Sequence, residues 1–135
     1  MNNIGDLELN IMSCLLLKPE LMETMVLEDK HFVKHQRLWL FIKSCYKKFG
    51  TLDIHLMFNI CKDKYKILDY LMLLLDLEVT SVNFKKYEKQ LIEQYNEDIT
   101  TKVKIDMIYK SANDLWTRNI TLDQFKNRIN EIMEG

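Results

Sequence analysis

Apolar positions recur along this chain at three- and four-residue steps, the spacing that stacks side chains on one face of a helix. Leu7, Ile11, Cys14 and Leu15 begin the series behind Asp6, a residue suited to capping a helix start. That helix ends at Lys18, because the residue before Pro19 is pushed out of the helical region. Pro19 is then placed as the first residue of a short second helix, PELMETMV. Leu38, Phe41, Ile42, Cys45, Tyr46 and Phe49 make the next apolar side, stopped by Gly50. Asp53 caps the helix after it, with Leu52 and Met57 available to close as a hydrophobic staple.

The segment YKILDYLMLLLDLEV is apolar nearly all round, which predicts a helix covered on most sides, the central helix of the core. Ser81 or Asn83 then caps a much longer helix running to Trp116, with Tyr87, Leu91, Tyr95, Ile99, Val103 and Met107 at four-residue steps. Such a stripe precesses by about 40° per step, so it needs partners over more than one sector. Arg118 and Asn119 make a turn into a last helix, Leu122 to Met133. Thr121 and Gln124 are spaced as a capping box there, with Ile120 and Phe125 as a staple. About a dozen residues cannot hold a helix in water unaided, so Phe125, Ile129 and Ile132 must pack on the end of the long helix. Each contributes about 1.5–3 kcal/mol if fully covered. The predicted fold is all-α: a multi-helix globular head over residues 1–82, then a long helix and a projecting antiparallel helical hairpin over residues 83–135.

Composition agrees with this picture. At 135 residues, 47% apolar and 29% charged, the chain builds one real core but not two full domains. Three glycines and one proline leave little turn punctuation, which favours long helices with short connections. A formal charge of −1 gives no net pull toward phosphate backbones. Cys14, Cys45 and Cys61 lie in apolar runs and are odd in number, pointing to buried reduced thiols. Without a long apolar span or a signal-peptide pattern in MNNIGDLELN, the expected location is the cytoplasm, away from membranes.

Candidate chemistry is sparse. Gly5, Gly50 and Gly135 are too far apart to cradle a phosphate, so no nucleotide cofactor is expected. His31 and His35 share a four-residue spacing near Asp29, but zinc needs at least three protein ligands, and surface imidazoles at a helix start are the expected role. His55 lies near a cap and Cys61 in an apolar run, with no nucleophile–base motif joining either to a partner. Asp76 with Glu78, and Glu97 with Asp98, have the look of solvated helix-end charges. The chain is therefore expected to be non-enzymatic, with no catalytic, metal or cofactor residue. The runs KKYEKQ and KDKYK interleave lysine with tyrosine, a composition that lines nucleic acids. Glu88 and Glu93 beside Lys85, Lys86 and Lys89 make an ordinary solvated helix face the preferred reading. The GTLDIHLMFNICKD region has a helix-turn-helix outline but no arginine- or glutamine-rich recognition face.

In order along the chain stand Glu8 and Pro19, Phe32 with Trp39 and Phe41, Tyr46 with Gly50 and Asp53, and Asn83 with Phe84 and Tyr87. This series resembles the N-terminal domain of the DnaB-type replicative hexameric helicases over nearly the whole sequence. It departs from that pattern at His35 and Arg37, and it lacks the glycine pair usual before the YL helix, around Lys64 to Ile67. The resemblance implies a helical head and hairpin that pair between subunits into a ring-like collar, where primase and helicase-loading factors dock. In that family an ATP-hydrolysing motor follows. Here Gly135 closes the sequence, so an excised piece and a small independent protein are both expected readings.

The leading expectation is a self-associating docking module of DNA replication, a dimer or larger, presenting its head to a helicase, primase or loader. Tyr95, Ile99, Val103, Met107, Trp116, Phe125 and Ile129 are the expected residues of hairpin packing and subunit contact. Two other readings stand beside it: a freestanding phage or mobile-element regulator of a host helicase or loader, and a small DNA-binding adaptor using Lys85, Lys86 and Lys89.

Overall fold

The computed structural model describes residues 6–77 and 79–135, so Gly5 and Glu78 lie outside the described residues. Those residues are all-helical, without a strand. The helices are α1 (Leu7–Leu17), α2 (Gln36–Phe49), α3 (Ile54–Cys61), α4 (Tyr65–Asp76), α5 (Phe84–Trp116) and α6 (Leu122–Glu134), with short 3-10 turns at Pro19–Glu23, Asp29–His31 and Ser81–Asn83. Contacts divide the chain into two units, Met1–Glu93 and Gln94–Gly135.

The local punctuation follows the sequence closely. Asp6 accepts from the Leu9 amide to start α1, and Lys18 ends it. Asp53 accepts from the amides of His55 and Leu56 to start α3. Gly50 stops α2 with φ of 72°, a left-handed conformation that glycine reaches without a Cβ penalty. One predicted boundary differs. The segment after Pro19 is a 3-10 turn that closes at Glu23, not a helix through Val26. Thr80, accepting from the Val82 amide, caps the 3-10 turn Ser81–Asn83, and α5 begins at Phe84 directly after Asn83.

In the first unit, α1 occupies the middle. Glu8, Leu9, Ile11, Met12, Ser13, Cys14 and Leu15 are all buried. The turn after Pro19, α4 and the turn at Ser81–Asn83 pack on it. Leu38, Ile42 and Cys45 of α2, Met57 and Cys61 of α3, and Phe84 and Leu91 of α5 complete the same core. Phe32 stacks on Trp39 at 4.3 Å and 9°, closing the loop before α2 onto that helix.

The expectation for α4 is corrected. Only Leu71 and Leu74 of this helix are buried, whereas Tyr65, Tyr70, Met72, Leu73 and Leu75 are exposed. A small bundle has room to cover one helix on most sides, and α1, which is apolar more evenly round its circumference, takes that place, while α4 gathers its apolar residues more on one face. Ser13 Oγ donates to the Leu74 carbonyl at 2.8 Å and holds α4 against α1.

Buried charge ties the loops down. Glu8 reaches the segment before α2, and Glu88 in α5 accepts from the Val26 amide at 2.7 Å and from Lys85 Nζ at 3.2 Å. Because Phe84, Glu88 and Leu91 are buried in the first unit, the first turns of α5 belong to it, and the division falls inside that helix.

Candidate functional site

The second unit contains the distal part of α5, a turn and α6. The turn is a Schellman arrangement: the Asn119 amide donates to the Asp114 carbonyl at 2.8 Å and the Arg118 amide to Leu115 at 3.0 Å. Arg118 occupies the left-handed position, φ 63°, where glycine is the usual residue. Thr121 and Gln124 form the predicted capping box by reciprocal bonds of 3.2 and 2.9 Å.

Contacts within this unit select a face of α5. Ser111 is buried, and Ile108, Asp114 and Leu115 are half-buried. On α6, Ile132 is buried and Phe125 and Ile129 are half-buried. Arg128 donates to Asp114 at 2.9 Å. A cleft of about 580 Å³ lies along Met107, Ser111, Asp114, Arg128 and Ile132.

The expected interface residues thus separate into groups. Phe125 and Ile129 are partly covered within the unit, and Tyr95 is half-buried. Ile99, Val103, Met107 and Trp116 are exposed, Trp116 at 86%. At 100° per residue, Ile99, Val103 and Met107 lie about 70–150° round the helix from the face made by Ile108, Ser111 and Leu115. Trp116 lies on the opposite flank, where Ile105 and Tyr109 are also exposed. A single four-residue stripe therefore does not describe this helix. Ile108, Ser111 and Leu115, at three- and four-residue steps, are the inward row that the stripe reading missed, and Ile105 and Tyr109 belong to a second outward row.

The residues considered for metal or acid–base chemistry serve as local ties. His31 is buried, and its Nδ1 accepts from the Glu28 amide at 2.9 Å. Asp29 accepts from the Trp39 indole at 2.8 Å and from Lys43 at 3.0 Å. The indole hydrogen bond, followed by Lys43, holds its carboxyl below the ordinary carboxylate range. His55 is exposed. Among the described residues no group of three or more His, Cys, Asp or Glu side chains is placed to hold a metal ion.

Cys14, Cys45 and Cys61 are free and buried, and burial raises all three thiols, Cys14 to about 11. Of the lysines offered for DNA binding, Lys85 is engaged by Glu88 and the Thr24 carbonyl, while Lys86 and Lys89 are exposed. No helix among the described residues is long and apolar enough to cross a membrane. No family model matches the chain, and neither does any curated protein or solved structure.

Proposed function

We propose that this chain is a non-catalytic, self-associating docking module of the DNA replication machinery, whose second unit is an antiparallel helical hairpin that pairs between copies. The observation that carries the reading is the distal half of α5, which leaves apolar side chains exposed on both flanks of its packed face. Ile99, Val103 and Met107 lie on one side, and Ile105, Tyr109 and Trp116 on the other. A helix apolar on several sides is stable in water only when those sides are covered. Covering Trp116 alone is worth on the order of 3 kcal/mol. The Asp114–Arg128 bond, with Ser111 and Ile132 buried nearby, supports the antiparallel course of α6.

The replication setting rests on the resemblance of the ordered series from Glu8 to Tyr87 to the collar domain of replicative helicases. In that setting the first unit is the head that meets helicase, primase or loader. Light scattering at micromolar concentration tests self-association: the mass exceeds the 16.3 kDa of one chain by at least twofold, and Ile99→Asp or Trp116→Asp shifts it down. A wild-type mass equal to one chain refutes it. Binding of purified helicase, primase or loader to the wild type tests docking.

A further inference from the structure

In the first unit, residues 33–40 at the start of α2 and residues 64–70 at the start of α4 border a groove of about 830 Å³. Its charge is one-sided. Lys34, Arg37, Lys64 and Lys66 line it, all exposed, and no carboxylate does. None of the four cations forms an ion pair with a described residue. In a chain whose formal charge is −1, four exposed cations on one groove are a local concentration of positive charge, with the Asp6 and Glu8 carboxylates behind its wall and not in its lining.

The space between the cations is oily. Val33 is 68% exposed, Leu40 43% and Tyr65 74%, and Ile67 is half-buried. The wall is also held in place. Glu8 accepts from the Lys34 and His35 amides, His35 Nε2 pairs with Asp6 at 2.6 Å, and Tyr70 meets the His35 ring edge-on at 5.5 Å. The other His35 nitrogen, Nδ1, is buried without a hydrogen-bond partner among the described residues. A groove fixed in advance by its own supports needs little reordering on binding.

We infer that this groove docks an acidic amphipathic segment of a partner protein, its apolar side chains seated over Val33, Leu40 and Ile67 and its carboxylates meeting Lys34, Arg37, Lys64 and Lys66. Single-stranded nucleic acid is the competing class, since tyrosines and cations also serve stacked bases. Tyr65 and Tyr70 are the rings a base could use, but Tyr70 is set edge-on against His35, and the aliphatic Val33, Leu40 and Ile67 favour the peptide because they offer apolar cover to leucine-like side chains. The volume suits a few anchoring side chains. The inference rests on the first unit being a docking head and is independent of pairing through the second unit.

The test is a fluorescence anisotropy titration of the full chain with three labelled probes: a short Leu/Phe/Glu peptide, the same peptide with Lys for Glu, and oligo(dT). The acidic peptide binds saturably, and the other two bind at least about tenfold more weakly. Arg37→Glu with Lys64→Glu weakens the acidic peptide by about tenfold or more, whereas Lys47→Glu with Lys48→Glu, the same charge change outside the groove, has under about twofold effect. No saturable binding up to about 0.5 mM, equal losses in the two variants, or tighter binding of oligo(dT) overturns the inference. Purified helicase, primase and loader separate it from the wider reading. If one of them binds wild type and groove variant alike, docking stands and the groove assignment falls. If none binds while the peptide does, the groove stands and replication docking falls.

Discussion

Replacing Glu8 tests how the first unit is assembled, because this side chain joins α1 to the start of α2 through two bonds and little else competes for it. It is 4% exposed, and its two oxygens accept separately, Oε2 from the Lys34 amide at 3.0 Å and Oε1 from the His35 amide at 2.9 Å. Hydrogen bonds to a charged group are worth about 1.5–3 kcal/mol each, and the position just ahead of α2 adds a favourable interaction with the positive end of the helix dipole. Truncation admits some water to the freed amides, so the lower end of the range applies, and Glu8→Ala costs about 3 kcal/mol. Glu8→Gln keeps the volume and one acceptor but turns an NH₂ toward the second amide, and costs about 2 kcal/mol. With a urea slope of about 1.5 kcal/mol per molar, the Glu8→Ala midpoint falls by about 2 M. The chain has two tryptophans, Trp39 buried in the first unit and Trp116 exposed in the second, so Trp116→Phe leaves an emission signal that reports the first unit alone. A Glu8→Ala loss below about 1 kcal/mol in that background would show that the two amides are satisfied as well by water, and the reasoning would fail.

Other outcomes follow from single features. Cys14 has its thiol raised by burial to about 11 from the ordinary 9.0, so the unfolded chain loses that proton first and stability drains away as pH rises from about 9 toward 11. The loss is on the order of 2–3 kcal/mol, with Cys45 and Cys61 acting in the same direction. Urea curves across that range check it, and Cys14→Ala must flatten the decline. Arg118→Gly relieves a left-handed residue and stabilises the second unit by about 0.5–1 kcal/mol, whereas Gly50→Ala puts a Cβ at φ 72° and destabilises the first by about 1 kcal/mol. Nothing lies within 4 Å of that Cβ, so the Gly50 cost is conformational and not steric. Thermal unfolding followed by circular dichroism measures both, and a destabilised Arg118→Gly contradicts the account of the turn.

What the sequence settled by itself is the set of helices and their ends. Asp6, Asp53, Gly50 and the Thr121–Gln124 box act on backbone groups within a few residues of themselves, so each signal carries its own partner. Lys18 ends α1 for the same reason, since Pro19 is its neighbour. What only the tertiary structure decided is which apolar surface covers which. α1 carries Glu8 and Ser13 among its apolar residues, and only their partners elsewhere in the fold, the Lys34 and His35 amides and the Leu74 carbonyl, let it lie in the centre, while α4 exposes Met72, Leu73 and Leu75. Glu8 finds its amides 26 and 27 residues away, a distance no local pattern encodes. In α5 the four-residue stripe measures how much side-chain surface seeks cover, but it cannot say that Ile108, Ser111 and Leu115 are the covered residues while Ile99, Val103 and Met107 are exposed. Hydrophobic burial is non-directional, so periodicity sets the demand for partners and the assembled neighbours choose among them.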